Sequence, residues 1–222
     1  MSNSAAAVRP IEDRSVASQV TAELRRSILS GTLPAGRHFS LRELAEKLGV
    51  SIIPVREALR DLEQDGLVST RHGRSAVVTP LERDDLKAIY RLRRILEPEL
   101  ARLACVRIRE RELAGLEALV ANLDGNALGP EVVDARYEFY LGLFAPAATA
   151  WDMRIVTTLW RAASRYIPAG VANMDEELAE RVRHAHEDLI AAFRSGDPDT
   201  AAAAVRAHLD LTEEIGELAL TA

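Results

Sequence analysis

Three side chains that could carry chemistry lie on apolar helical faces in the second half of the chain. At about 100° per residue, Arg93 falls among leucines and isoleucines, and His186 and His208 each fall near the middle of an apolar stripe. A buried guanidinium and two buried imidazoles need polar partners, because an unpaired polar group costs free energy when it leaves water. Asp134 and Glu138, one turn apart on another predicted helix, are the partners that the pattern offers. These five residues predict a polar cluster inside a helical region.

Helices must position this cluster, since the pattern from about residue 82 onward is helical and shows no convincing strand. Turn-forming breaks at 124-DGNALGP-130, 167-IPAGVAN-173 and 195-SGDPD-199 divide the region into six or seven helices. We therefore predict an all-α domain over residues 81–222.

The front of the chain has a different pattern. Apolar residues at helical spacing predict a first helix over about residues 15–30, and 31-GTLPAG-36 predicts a turn. Ser40 and Glu43 form a capping box at the start of a second helix, which Gly49 ends.

A third helix follows after a tight turn. Ser51 is placed to cap it, and Gly66 ends it. Pro54 is tolerated because it falls in the first turn, where its missing N–H has no helical partner.

Two short β-prone runs complete the front domain. The runs 67-LVST-70 and 76-AVVT-79, joined by 71-RHGRS-75, predict a hairpin. Three helices followed by a hairpin describe a winged helix-turn-helix, which we assign to residues 14–80 after a flexible arm of residues 1–13.

These residues resemble a known family. The run LRELAEKLGVSIIPVREALRDLEQDGLVSTRHGR is similar to the DNA-binding domain of the GntR family of bacterial transcription regulators. RxxLEPELARLA, Asp-x-x-Tyr-Glu and HxxLIAAFRSGDPDTAAAAVRAHL then match the FadR branch, whose helical C-terminal domain (the FCD type) binds a small effector, often beside a metal ion. The resemblance covers roughly residues 12–215. It implies a mainly α protein, with an N-terminal winged helix-turn-helix joined to an all-α helical bundle.

By this resemblance the third helix enters the major groove of double-stranded operator DNA, and the wing touches the minor groove. The residues predicted to contact DNA are Arg42, Ser51, Ile52, Ile53, Pro54, Arg56, His72, Gly73 and Arg74. Arginines can reach phosphates or base edges, and a serine at a helix N-terminus can bond a phosphate. Taken singly, each arginine would be a solvated surface charge, and it is the motif that favours DNA contact.

Ile52 departs from the family pattern. An arginine expected to read a guanine usually stands there, and a threonine or similar polar residue usually stands at Ile53. An isoleucine can only pack, for instance against a thymine methyl. We expect Ile52 to be displayed to DNA, Ile53 to tuck partly against the preceding helix, and the operator to differ from the family's usual one.

The resemblance also implies a metal site, for which the family usually provides one Asp and three His. Asp134, His186 and His208 match three of these positions, and Glu138 stands at the fourth. Two carboxylates and two imidazoles are compatible with a divalent Zn, Ni, Mn or Fe ion and do not choose among them. The alternative is a buried hydrogen-bonded cluster without a metal.

Arg93 matches the arginine that sits in the family's effector pocket. A guanidinium in an apolar pocket beside a metal suits a small carboxylate or hydroxy acid. The alternative is that Arg93 pairs within the protein, with Glu97 or Asp134.

Composition agrees with a regulator that has two different partners. The net charge is −6, but residues 1–80 hold 11 Lys and Arg against 9 Asp and Glu, whereas the remainder holds 17 against 25. The single cysteine, Cys105, excludes an internal disulfide and suits a reducing cytoplasm. The sequence shows no apolar run of membrane-spanning length and no secretory hydrophobic core near its start.

The leading hypothesis is a cytoplasmic homodimeric regulator, a repressor that an organic acid controls. One alternative is a metal-dependent helical enzyme tethered by the front domain, although the sequence shows no nucleophile or general base beyond the predicted ligands. The other is a constitutive DNA-binding dimer whose back domain binds no effector.

Overall fold

The computed structural model describes residues 16–71, 75–120 and 130–221. The predicted arm of residues 1–13 and the wing residues His72, Gly73 and Arg74 lie outside them. The elements are α1 (Val16–Leu29), β1 (His38–Ser40), α2 (Leu41–Leu48), α3 (Ile52–Gln64), β2 (Val68–Arg71), β3 (Ser75–Val78), α4 (Arg83–Cys105), α5 (Glu110–Val120), α6 (Pro130–Phe144), α7 (Ala150–Ser164), α8 (Ile167–Val171), α9 (Glu176–Arg194) and α10 (Pro198–Leu218). The predicted mainly α fold with a small wing sheet is confirmed.

The N-terminal region packs three helices against an antiparallel sheet of strand order β1-β3-β2. The inner face of α3 is fully buried through Val55, Ala58, Leu59 and Leu62. The predicted hairpin is present in the pairing of β2 with β3. Strand β1, which pairs with β3, has no expectation from the sequence, because three residues are too few to show a period-two pattern.

The ends of α2 and α3 explain the tight turn between them. The Ser40 Oγ accepts a hydrogen bond from the Glu43 N–H at 3.1 Å, and Gly49 adopts a left-handed φ of 65° that ends α2. Ser51 occupies the N-cap position of α3, but its side chain makes no capping hydrogen bond. Its predicted capping role is therefore not observed. Pro54 falls in the first turn, as predicted.

Seven helices follow between residues 83 and 218 of the described chain. The predicted break at 167–173 instead contains the short helix α8. Pro168 does not prevent this helix, since it lies in the first turn, where proline is tolerated. Gly170 lets α8 approach α10, since a Cβ there would collide with the carbonyl of Ile215. Within the described ranges, no helix is both long and apolar enough to cross a bilayer.

The two regions are docked through α1, α6 and α7. Trp160 of α7 is 5% exposed and packs into the apolar core of the N-terminal region. Beside it, the Asp65 carboxylate at the end of α3 accepts from Arg25 of α1 at 2.8 Å and from Arg161 of α7 at 3.1 Å. The Tyr166 hydroxyl donates to the carbonyl of Glu82 at 2.8 Å, which fixes the connection between the regions.

Candidate functional site

A small, partly open cavity of about 60 Å³ lies in the helical region, bounded by α4 and α6–α10. Three residues predicted from the sequence, Arg93, His186 and His208, line it. The further lining residues are Tyr90, Arg136, Tyr140, Trp160, Ala163, Ser164, Ile167, Val171, Val182, Leu211, Thr212 and Ile215.

The two histidines face each other across this cavity, as their places on two apolar faces predicted. Both histidines are buried, and their ring centroids are 6.0 Å apart. The Tyr140 ring lies 4.7 Å from the His208 ring, and its hydroxyl is 3.0 Å from Nε2 of His186. Burial, then the charge of Arg136, lowers the pKa of His186 to about 4. Burial likewise holds the pKa of His208 well below its usual value, so both rings are neutral at pH 7.

Arg93 is paired inside the protein. Its Nε donates to Oε1 of Glu97 at 2.6 Å and its Nη2 to Oε2 at 3.2 Å, and both residues are 4% exposed. Burial is the largest single effect and by itself would lower the pKa of Arg93, but the attraction of Glu97, the hydrogen bond to it and the nearby Tyr90 and Tyr140 together outweigh burial and leave the pKa raised. Of the two intramolecular partners considered for Arg93, Glu97 and Asp134, the structure shows Glu97.

The helix α6 presents a different face to the cavity from the one predicted. The Asp134 carboxylate points away and accepts from Nε of Arg26 in α1 at 3.1 Å, with its side chain 53% exposed. Glu138 is exposed as well. Arg136 and Tyr140 line the cavity in their place. The expected convergence of Asp134 and Glu138 on the histidines is therefore not what the fold produces, because α6 docks against the N-terminal region on that side.

The residues around the cavity do not fit a divalent cation. Among the described lining residues are two imidazoles, two phenols and two guanidiniums, and no carboxylate. Across the described chain, no group of three His, Cys, Asp or Glu side chains is close enough to hold one ion. His208 Nδ1 is buried without a hydrogen bond to a described residue, but two imidazoles with no carboxylate among the described lining residues are too few ligands for a divalent ion.

A wider open groove of about 1240 Å³ runs along the outside of α9 and α10. Its floor is made mostly of alanines, and its rim carries several carboxylates, including Glu176 and Glu180. The smaller cavity brings together the buried polar groups and is the better candidate for a small ligand.

A second candidate surface is formed by the N-terminal ends of α2 and α3. Arg42, Ser51 and Arg56 are exposed there, and neither arginine makes an ion pair with a described residue. Since the opposite face of α3 is buried, this face can enter a groove of DNA with its hydroxyl and guanidinium donors outward.

The two isoleucines at the start of α3 are both displayed. The exposed fraction is 37% for Ile52 and 65% for Ile53, and Pro54 beside them is half-buried. The expectation that Ile53 tucks against the preceding helix is wrong, because it projects further into solvent than Ile52. The helix start therefore exposes an apolar surface of two side chains.

Comparison with protein families matches both regions. Residues 16–78 match "Bacterial regulatory proteins, gntR family", and residues 88–211, more than half of the chain, match the FCD domain. The first span contains α1–α3 and the sheet, and the second contains most of α4, all of α5–α9 and most of α10.

Individual relatives agree with this assignment. The regulator Mce2R of Mycobacterium tuberculosis is 33% identical over 230 residues, covering 92% of this chain and 93% of its own. The probable D-xylose utilization operon repressor of Paenarthrobacter nicotinovorans is 28% identical and covers 87% and 85%. Several other relatives match this chain over only 28% to 52% of their own length.

The solved structure of McbR/YncC from E. coli superposes with a TM-score of 0.79 over 94% of this chain and 99% of its own, at 23% identity. That similarity supports the fold. The named relatives are transcriptional regulators, which supports the regulator hypothesis over the tethered enzyme. The chain belongs to the GntR family of bacterial regulatory proteins and carries an FCD domain after its winged helix-turn-helix.

Proposed function

We propose that the protein is a cytoplasmic, operator-binding repressor whose affinity for DNA is set by a small organic acid in the cavity of its helical region. One observation carries the proposal. Trp160 lines the cavity and is also part of the buried core of the N-terminal region. A ligand that moves this ring therefore acts on the packing of the domain that holds α3.

The ion pairs next to Trp160 extend this connection to the DNA-binding helix. Arg161 follows Trp160 on α7 and binds Asp65, the residue that ends α3. Asp65 is held at the same time by Arg25 of α1. A shift of α7 would therefore be felt at the end of the recognition helix, and a coupling of about 1–3 kcal/mol is typical between two such sites.

The repressor assignment is supported by the Paenarthrobacter relative that is named as a probable repressor. A repressor that its effector inactivates leaves its operator when the effector binds, so in such a protein the effector-free arrangement is the one that fits DNA. In the described structure α3 is fixed by the Asp65 ion pairs and its outer face is open. This is the arrangement expected of the form that binds DNA.

A homodimer is part of the proposal, since one recognition helix reads one half-site and a symmetric dimer reads two. Large apolar side chains are exposed on one side of α4, namely Leu92, Ile95, Leu103 and Val106. Trp151 and Ile155 are exposed on α7, which packs against α4. We assign these two helices to the contact with a second copy, because exposed apolar patches of this kind mark protein interfaces.

The test separates DNA binding, effector binding and their coupling. Operator affinity is measured by fluorescence anisotropy with and without small carboxylates and hydroxy acids, and acid binding is measured separately by thermal shift. Arg161→Gln removes the ion pair with Asp65 and should keep acid binding while reducing the effect of the acid on operator affinity.

Arg206→Gln is the matched control, because Arg206 is an exposed arginine on α10, outside the two helices assigned to the dimer contact. It should respond to acid as the wild type does. If no acid changes operator binding and no acid stabilises the protein, its function is that of a constitutive DNA-binding dimer.

A further inference from the structure

One carboxylate ties the end of α3 to the neighbouring hairpin. The Oε1 of Glu63 accepts a hydrogen bond from the backbone N–H of Thr70 in β2 at 2.7 Å. The Thr70 hydroxyl lies 2.9 Å from both oxygens of the same carboxylate. Because the acceptor is charged, these hydrogen bonds are stronger than those between neutral groups. Glu63 and Thr70 therefore hold α3 and β2 together.

The place of β2 in the sheet explains why Thr70 can bind a side chain. In the strand order β1-β3-β2, β2 is an edge strand, and Thr70 lies opposite Ala76 of β3. The outward N–H groups of an edge strand have no partner within the sheet. The N–H of Thr70 is directed to Glu63 instead of to β3, so α3 supplies the acceptor that a further strand would otherwise supply.

The hairpin is anchored separately at its base. The N–H of Leu67 donates to the carbonyl of Leu62 at 2.9 Å, and the N–H of Thr79 donates to the carbonyl of Leu67 at 3.1 Å. Thr70 lies further out, roughly 10 Å from Leu67 along an extended strand. The contact with Glu63 is thus a second attachment of the hairpin to α3. Two attachments fix an angle between the hairpin and the helix that one attachment leaves free.

Glu63 lies on the same side of α3 as Arg56, which is predicted to contact DNA. Seven residues, nearly two full turns, separate them, so the two side chains leave the helix within about 20° of each other. Both residues are exposed. A carboxylate on this side of the helix repels the phosphates of bound DNA, so its charge by itself disfavours binding. A benefit of Glu63 to DNA binding must therefore come from what it holds in place.

We infer that Glu63 is a positioning residue for DNA binding. By holding Thr70, it fixes the β2–β3 hairpin at one angle to α3 before DNA is bound. The protein then binds a duplex without having to order the hairpin, and a complex that requires less ordering is tighter. The inference rests on the proposed function for operator binding, and it is independent of the acid and of the cavity.

Glu63→Met tests the inference, because methionine keeps the length of the side chain and favours a helix but removes both the charge and the acceptor. The operator is the duplex that the wild-type protein selects from random DNA, and affinity is measured by fluorescence anisotropy at one salt concentration. The variant should bind this duplex about three- to tenfold more weakly, the range expected for about one net hydrogen bond. Loss of repulsion alone predicts a tighter complex, so affinity equal to or above that of the wild type overturns the inference.

Two further variants separate the charge from the hydrogen bonds. Glu63→Gln removes the charge but keeps an oxygen that can accept from Thr70, so it should bind the duplex more tightly than Glu63→Met does. Equal affinities of these two variants would show that the acceptor is irrelevant and would overturn the inference. Glu46→Met is the matched control, because Glu46 is an exposed residue of α2 whose side chain makes no hydrogen bond to a described residue. It should not weaken binding.

A double variant shows whether Glu63 acts through Thr70. Thr70→Val removes the hydroxyl and keeps the shape of the side chain, so it should weaken operator binding in the wild-type background. It should have no further effect in the Glu63→Met background, because the acceptor of that hydroxyl is already absent. Losses that add in the double variant contradict the inference. Thermal denaturation of each variant shows that weaker binding does not reflect unfolding.

Amide hydrogen exchange of the full chain, followed by NMR, measures the contact without DNA. The N–H of Thr70 should be protected in the wild type and should exchange faster in Glu63→Met, and equal rates in the two proteins overturn the inference. A wild-type protein that selects no duplex from random DNA refutes the proposed function, and the positioning role fails with it. If the wild type selects a duplex and Glu63→Met binds it equally well, the proposed function stands and only the inference is overturned.

Discussion

Acid should destabilise the protein through its buried histidines, and the lowered pKa of His186 gives the size of the loss in stability. Burial, then the charge of Arg136, lowers the pKa of His186 to about 4, whereas a histidine in an unfolded chain titrates near 6.5. Between these values the unfolded chain binds a proton that the folded chain does not, so the free energy of unfolding falls as the pH falls. A pH of 5 lies about 1.5 units below the pKa in the unfolded chain, so the free energy of unfolding has fallen there by roughly 2 kcal/mol, at about 1.4 kcal/mol per unit.

The stabilisation is complete above about pH 6.5 and is progressively lost towards pH 4. His208, whose pKa is also lowered by burial, contributes with the same sign. The carboxylates of the protein titrate in part of this range, so the effect of one histidine is isolated only by comparing wild type with a variant.

His186→Gln provides this comparison, since glutamine keeps a polar group near the Tyr140 hydroxyl and does not titrate. Urea unfolding in EDTA gives the free energy of unfolding of both proteins at each pH. The advantage of the wild type over the variant should shrink by about 2 kcal/mol between about pH 7 and pH 5. Parallel curves over that range would refute the lowered pKa of His186 and with it the argument from burial.

His184→Gln is the matched control two residues away. His184 is exposed, and its hydrogen bonds to Glu187 and Glu180 raise its pKa. A raised pKa stabilises the folded protein below the unfolded pKa and ceases to do so as the pH rises, so this variant should show a change of opposite sign.

Three other substitutions test the surfaces and the buried ion pair. Arg56→Ala should weaken operator binding by about 1–3 kcal/mol relative to non-specific DNA, and an unchanged gel-shift midpoint would contradict its contact with DNA. Ile52→Arg should move the site selected from random DNA towards one containing guanine, because arginine pairs with guanine where isoleucine can only pack; identical selected sites would show that Ile52 reads no base. Arg93→Ala should lower the free energy of unfolding by about 3–5 kcal/mol, because it leaves Glu97 buried and unpaired. The double variant Arg93→Met with Glu97→Met should recover most of the lost stability in urea unfolding. A single variant as stable as the wild type would show that burying Glu97 without its partner has no such cost.

Introducing a charge on α4 should also disrupt the proposed dimer. Ile95 is 68% exposed, so Ile95→Glu should leave the fold of the chain intact while it places a charge in the proposed contact of each copy. Light scattering after gel filtration measures the result, and a dimer of unchanged mass would place the contact elsewhere.

Local periodicity was enough to predict the helices and several of their buried polar residues. His186 and His208 each lie at the centre of one clear apolar stripe, so the side that faces the core follows from the spacing of their neighbours. The same holds for α3, whose buried inner residues leave the opposite face exposed. The exposure of Ile53 could not be predicted in this way, because it sits in the first turn, where no full helical period precedes it.

The orientation of α6 could not be predicted from the sequence, because it is set by tertiary packing. Apolar residues surround this helix on several sides, so it has no single face to bury. Phe139 and Leu143 pack into the helical core, whereas Val133 and Tyr137 pack against the core of the N-terminal region. The helix is thus covered by two layers, and the pattern of one segment cannot say which layer lies on which side.

That orientation determines the chemistry of the cavity. It gives Asp134 to Arg26, more than a hundred residues earlier in the chain, and brings Arg136 and Tyr140 to the histidines. The spacing of apolar residues was enough to predict that Arg93, His186 and His208 would be buried on helical faces and that the outer face of α3 would be exposed, whereas its contact with DNA is implied by the family resemblance and stays a prediction. Whether those buried groups meet carboxylates or guanidiniums depends on how α6 packs between two regions that are distant in sequence, and only the folded chain fixes it.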